Sequence, residues 1–415
     1  MTQFKDLNLL PSIIKALDAK GYTTPTPIQD KSIPHLLEGK DLLGIAQTGT
    51  GKTAAFALPI INRLAKHKVK LRPRQVRTLI LTPTRELATQ IDDNVKAYGT
   101  GLHLFSTVIF GGVGKASQIK ALNRGVDILV ATPGRLLDLM NEGYIKYEQL
   151  EVFVLDEADR MLDMGFIRDI RKIITKLPKE KQTLLFSATM PKDIASLATS
   201  LLKNPIRVEV TPQASTVEKI DQKVNFVEKS NKPLLLKSIL KDETIKSMLV
   251  FSRTKHGADR IVKHLEKANV TAAAIHGNKS QNNREKALNN FREQKIRVLV
   301  ATDIAARGID VAQVSHVVNF DLPNDPESYV HRIGRTARAG REGIAIAFCD
   351  PEEVKLLKAI EKFIRIKVPV DNTHPYFGVP GKKSAQNNGQ NNPNNQSSIR
   401  NKTNKSKTGN QRRRR

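Results

Sequence analysis

The chain has 415 residues, with 68 Lys or Arg against 41 Asp or Glu, and a formal net charge of +27. That excess fits an anionic polymer or surface as partner. One cysteine, Cys349, excludes an internal disulfide framework and a thiolate metal cluster. No apolar run approaches the ~18 residues of a membrane span. The opening MTQFKDLNLL lacks a charged leader ahead of an apolar stretch, so the expected location is cytoplasmic.

In chain order the strand-length apolar runs are DLLGIA, TLILTP, TVIFGG, VDILVATP, VFVLDE and TLLFSAT, then MLVFSRT, TAAAIHG, VLVATD, HVVNFDLP and GIAIAFCD. Helical stretches separate them. Continuous hydrophobicity marks strands covered on both faces, hence parallel sheets flanked by helices. Cys349 falls in the last run and reads as a core thiol. Nearly every run ends in a small, polar or charged residue, and in open α/β sheets ligands bind beyond those carboxyl ends. The series occurs twice, which predicts two tandem α/β domains at 1–207 and 219–378. A linker is expected at 208–218, inside the proline-containing KNPIRVEVTPQASTVEKIDQ. After VPGKK the composition collapses to Asn, Gln, Ser and Lys, so 379–415 is expected to be a disordered polybasic tail. Residues 381–415 supply ten of the 27 net charges and contain no acid.

Residues 46–53, AQTGTGKT, follow the first apolar run and lead into a helical pattern that Pro59 should kink. Ala46, Gln47, Thr48, Gly49, Thr50 and Gly51 form a loop whose glycines let the backbone approach phosphates at a helix N-terminus. Lys52 adds a point charge for the outer phosphates, and the Thr53 hydroxyl suits Mg²⁺. The generic phosphate loop has Gly where this chain has Ala46. About a hundred residues on, VFVLDEADRML sets Asp156 and Glu157 against a buried strand. Buried carboxylates need counter-charges. A metal and Lys52 supply them if Asp156 holds Mg²⁺, partly through water, and Glu157 orients and deprotonates an attacking water.

Asp156-Glu157-Ala158-Asp159 resembles the signature of the DEAD-box RNA helicases, a branch of superfamily 2, over about residues 1–378. DEADRMLDMGF and IHGNKSQ are similar to the bacterial RhlE-type subgroup. The resemblance implies two RecA-like domains and ATP-dependent separation of short RNA duplexes or remodelling of RNA–protein complexes, in ribosome assembly or RNA decay. ATP with Mg²⁺, RNA read through its backbone, ribosomal precursor particles or decay machinery, and no membrane follow as partners. GYTTPTPIQ resembles the family's adenine-sensing motif, about residues 2–30, with Phe4 upstream. Gln29 offers an amide donor and acceptor to the adenine edge, and Tyr22 an aromatic face.

The resemblance further implies that Asp159, Ser187, Thr189 and His331 couple hydrolysis to duplex opening. Within HRIGRTAR, Arg335 and Arg338 reach the γ-phosphate, where an arginine supplied across a cleft accelerates phosphoryl transfer. Asp310, in ATDIAARGID, bonds the ribose. The RNA-facing set is Pro83, Thr84, Arg85, Gly111, Gly112, Thr132, Pro133, Gly134 and Arg135 in the first domain. Arg253, Thr254, His276, Gly277, Gln281, Arg284 and Thr302 continue it in the second. Arg85, Arg135 and Arg253 are expected on phosphates, and Gln281 and Arg284 in the cleft. Competing readings are an ATP-gated RNA clamp or annealing factor with little turnover, a DNA-directed motor, and a small-molecule phosphate-loop kinase. The last explains neither the second sheet nor the charge.

Overall fold

Val, Ile and Leu runs without polar alternation bury both strand faces, and only a helix-covered sheet provides that. The computed structural model, which describes residues 2–47, 49–210, 220–306, 314–336 and 343–378, contains two such sheets. The first comprises β1 (Leu42–Ile45), β2 (Val76–Leu81), β3 (Ser106–Ile109), β4 (Val126–Ala131), β5 (Val152–Leu155), β6 (Gln182–Ser187) and β7 (Ile206–Glu209). Its order is β3-β4-β2-β5-β6-β1-β7. The second comprises β8 (Ile220–Phe226), β9 (Met248–Phe251), β10 (Ala272–Ile275), β11 (Val298–Ala301), β12 (His316–Asn319) and β13 (Gly343–Cys349), ordered β10-β11-β9-β12-β13-β8. Every strand pair is parallel.

All eleven apolar runs form strands, and β7 and β8 join them. Both additions lie at sheet edges. An edge strand keeps one side in water, so its sequence need not be continuously apolar: β7 has one fully buried residue and β8 alternates at its start. β7 carries the first sheet two residues into the expected linker. The outer side of β8 is closed by the chain's own continuation. Val224 N–H donates to Pro369 O at 2.9 Å, and Asp371 and Gly378 return bonds to Val224 and Phe226, both at 2.9 Å. That cover removes an exposed pairing edge.

Each sheet has an apolar core on both faces. Phe56, Ile61, Val154 and Phe186 lie in one core of the first sheet, and Leu129, Phe153, Met161 and Leu185 in the other. In the second sheet Val250 and Phe348 face one way, Leu249 and Leu299 the other. The helix Lys52–Lys66 runs through the expected kink point, Pro59, as one element. Cys349 is buried in β13, and burial pushes its thiol up to about 12. Among the described residues no helix is long and apolar enough to cross a membrane.

Register fixes where the loops emerge. Ile45 pairs with Ser187, Leu155 with Leu185 and Leu81 with Leu155. The loops after β1, β5 and β6 therefore leave one sheet edge side by side. In the second sheet Phe251 is level with both Ala301 and Asn319, which gathers the loops after β9, β11 and β12.

Candidate active site and nucleic-acid interface

The loop after β1 is shaped by two left-handed glycines, Gly49 at φ +89° and Gly51 at φ +93°. A Cβ on Gly51 would lie 2.4 Å from Gln29 Nε2 and 3.0 Å from Thr26 Oγ1. Only glycine fits there. Thr50 Oγ1 donates to Gln47 O at 2.7 Å, and buried Lys52 donates Nζ to Ala46 O at 2.7 Å. Thr53 is half-buried in the first turn of the following helix, and Thr48 lies outside the described residues.

Gln29 is 6% exposed and engaged at both ends of its amide: Oε1 accepts Thr26 N–H at 2.8 Å and Nε2 donates to Gly51 O at 3.1 Å. It braces the phosphate loop against the helix Pro27–Leu37, with one N–H left to offer. Phe4, expected at the nucleotide, instead packs into the core at 3% exposure while its N–H donates to Thr23 O at 3.1 Å. A buried ring supports the segment from beneath and presents no open face. Tyr22, at 48% exposure, is the aromatic available for stacking.

Asp156 and Glu157 directly follow β5 at 2% and 3% exposure. Glu157 has φ +57°, a left-handed turn that breaks the strand and starts the helix Ala158–Asp163. Burial pushes the Asp156 carboxyl up to about 7, against the pull of Lys52 and with the help of the Glu157 charge. For Glu157 burial acts upward too, but Arg160, Lys52 and Arg335 outweigh it and hold the group below the usual carboxylate range. Arg160 Nη1 donates to Glu157 Oε2 at 2.7 Å in a pair almost removed from water. Arg335, itself buried, comes from the second lobe. Arg338 and Asp310 lie outside the described residues.

These residues fit Mg²⁺. Among the described residues Asp156 Oδ1 is buried without a hydrogen-bond partner, and no group of three or more His, Cys, Asp or Glu forms a protein cage. One open carboxylate oxygen, completed by substrate phosphates and water, is how Mg²⁺ is commonly held.

Asp159 joins this site to the loop after β6. Its Oδ2 accepts the Ala188 N–H at 3.1 Å, the Thr189 N–H at 2.9 Å and the Thr189 hydroxyl at 3.0 Å. Ser187 Oγ accepts the Asp159 N–H at 3.2 Å and donates to Thr189 O at 2.7 Å. His331 is half-buried on the helix Pro326–Ile333. In that helix Arg332 is a keystone that the motif pattern does not single out. It grips Asp303 with Nε and Nη2 at 2.6 and 2.7 Å, donates to Asn319 and Asp321 O, and lies over the Phe251 ring. ATDIAARGID and HRIGRTAR contain this pair.

Three arginines converge on the expected RNA side. Burial lowers the Arg85 pKa, and repulsion from Arg284 and Arg135 lowers it further while Glu86 opposes them. A Cβ on Gly112 would meet the Arg85 guanidinium at 2.3 Å, so glycine is required for the approach. Arg135 Nη2 donates to Val113 O at 3.0 Å. Among the described residues Arg135 Nη1 and Arg284 Nε are buried without hydrogen-bond partners. Unmet buried donors beside mutually repelling cations favour an anion. Across the lobes Arg284 pairs with Glu86 at 2.9 Å, and Gln281 reaches Arg85 and Glu86 at 3.4 Å each. Glu86 escapes a reading of PTREL by residue type because its neighbour is the obvious cation.

The other expected contacts divide by exposure. Pro83, Thr84, Thr132 and Pro133 are buried, and Thr84 caps its helix by accepting the Leu87 N–H. Such positions offer backbone or edges rather than reaching side chains. Gly134 and Gly277 are open, while Gly111 and Thr302 are half-buried. The His276 ring is an exception to the expected set: it is 2% exposed and lies 3.1 Å from Asp259, under the loop. Arg253 also differs, being held by Glu353 and Leu322 O.

Comparison with known proteins accounts for this arrangement. Residues 26–197 match the DEAD/DEAH box helicase family and 231–340 the helicase conserved C-terminal domain. The ATP-dependent RNA helicase CshA of Listeria monocytogenes is 44% identical over 362 residues, 87% of this chain and 69% of that protein. CshA of Geobacillus kaustophilus is 43% identical over 368 residues, 89% of this chain and 78% of its own. Dbp5 of S. cerevisiae, solved bound to RNA and ADP BeF3, superposes at a TM-score of 0.81 with 32% identity, covering 89% of this chain and 96% of that one. The CshA names do not support the RhlE-type subgroup suggested by DEADRMLDMGF and IHGNKSQ. With that finer label set aside, both sheets and both motif series have one common source, and the chain belongs to the DEAD-box ATP-dependent RNA helicases.

Proposed function

We propose that this chain hydrolyses ATP with Mg²⁺ to separate short RNA duplexes or remodel RNA–protein complexes, in ribosome assembly or RNA decay. The observation that carries the reading is the position of Glu157. This buried acid lies in the field of Lys52 and Arg160 from its own lobe and of Arg335 from the other. An ionised base facing cations from both lobes suits a phosphoryl group bound between them.

The residues divide the work by chemistry. The loop 46–51 and Lys52 cradle phosphates, Tyr22 stacks on the base, and Gln29 ties base recognition to Gly51. Asp156 and Thr53 would hold Mg²⁺, which when bound would offset phosphate charge. Glu157 orients water and accepts its proton, and Arg335 with Arg338 neutralises charge on the transferred group. Arg85, Arg135 and Arg284 take RNA phosphates in the first lobe and the cleft, while Asp159 passes the state of the site to Ser187 and Thr189. ATP and RNA each favour the closed pair of lobes, so each tightens the other's binding. The basic tail tethers flanking RNA through its charge.

Glu157→Gln tests the core of this. The variant should bind ATP and RNA together, hydrolyse at least ~100-fold more slowly, and trap the closed complex. Hydrolysis at the wild-type rate would remove Glu157 as the base. RNA held long after ATP is consumed by the wild-type protein would favour the clamp reading, and equal stimulation by DNA would favour a DNA motor.

A further inference from the structure

The loop Ser252–Thr254 leaves β9 beside the second lobe's other carboxyl-end loops, and the family resemblance puts its arginine on a phosphate. The structure commits that arginine elsewhere. Arg253 Nη2 donates to the Glu353 carboxylate and to Leu322 O at 3.2 Å. Glu353, 3% exposed, also accepts Lys232 Nζ at 2.6 Å and the Leu322 N–H at 3.1 Å. Lys232 is fully buried, with Asp350 at 3.1 Å and Asp321 at 3.8 Å. Asp321 completes the circuit, its Oδ2 accepting the Arg253 N–H at 2.9 Å and the Ser252 hydroxyl at 3.2 Å. The network joins the loops after β9, β12 and β13 to the first turn of the helix Lys232–Ile239. Thr254, by contrast, is exposed, and its oxygen accepts the Gly257 N–H at 2.9 Å, leaving its own proton to donate.

We infer that Arg253 is a strut rather than a phosphate contact, and that Glu353 and Lys232 are positioning residues that aim the Thr254 hydroxyl at RNA. This deepens the proposed function and rests on that reading of the loop. Buried ions with several partners fix geometry because breaking one leaves its neighbours uncompensated.

The test measures binding of a short single-stranded RNA with a nonhydrolysable ATP analogue between about 50 and 200 mM salt. Arg253→Gln and Glu353→Gln should each weaken binding about fivefold, keep the wild-type slope of log affinity against log salt, and combine without further weakening. A phosphate contact behaves otherwise: Arg253→Gln would then lower the slope by about 0.7. Glu353→Gln, by releasing Arg253, would bind as well as wild type or better. Either result overturns the inference. Arg253 is a surface position, with its side chain 41% exposed, so its slope decides the matter even should Glu353→Gln fail to fold. Failure of the underlying reading looks different: the wild-type protein itself would show no nucleotide-dependent RNA binding, and the inference would fall with it.

Discussion

Asp159→Asn isolates the tie between the nucleotide site and the Ser187–Thr189 loop. The native carboxylate accepts four hydrogen bonds, three on Oδ2 from Ala188 and Thr189 and one on Oδ1 from the Arg160 N–H. Asparagine has one acceptor oxygen, so its NH₂ must face either the Arg160 N–H or the Thr189 side. At least one buried donor loses a charged partner, worth about 1.5–3 kcal/mol, and the surviving bonds fall to about half strength. Weakening the tie by about 3 kcal/mol corresponds to roughly a 150-fold shift toward the detached loop. ATP binding needs none of these bonds. RNA-stimulated ATPase should therefore stay within about threefold, while duplex separated per ATP falls at least tenfold. Hydrogen exchange should speed at the amides of Ala188 and Thr189. Proportional changes in both activities would refute the coupling argument.

Gly51→Ala places a methyl against Gln29 at a left-handed φ that costs ~1–2 kcal/mol for other residues, so KM for ATP should rise about tenfold or more with little change in melting temperature. An unchanged ATP titration would mean that Gln29 does not brace the loop. Removing residues 381–415 should raise the apparent KM for RNA and spare kcat. It should also flatten the salt dependence by about 0.7 for each phosphate the tail had held. A fall in kcat at saturating RNA would contradict a tether. Cys349, at 1% exposure and with its thiol pushed up to about 12, should resist iodoacetamide at mildly alkaline pH until the chain unfolds. Labelling of native protein within minutes would refute its burial.

Much of this molecule is decided locally, and that part is legible in the residues alone. Eleven strands announce themselves because a strand covered on both faces must be continuously apolar, as VFVL and MLVF are. The phosphate loop is legible because backbone approach demands Gly49 and Gly51 at fixed spacing from Lys52. Other features depend on residues distant in sequence. β7 and β8 are strands because neighbouring β1 and β13 offer them hydrogen bonds, whatever their polarity. Arg85 and Glu86 are adjacent in the chain, yet only the packed lobes bring Gln281 and Arg284 against them. Arg253, a phosphate ligand by the family resemblance, is claimed by Glu353 a hundred residues on. Phe4 and His276 likewise look available until burial removes them from the surface. Residue type and spacing state what chemistry is possible; which charges meet, and which are spent within the protein, is set by long-range packing that excludes water.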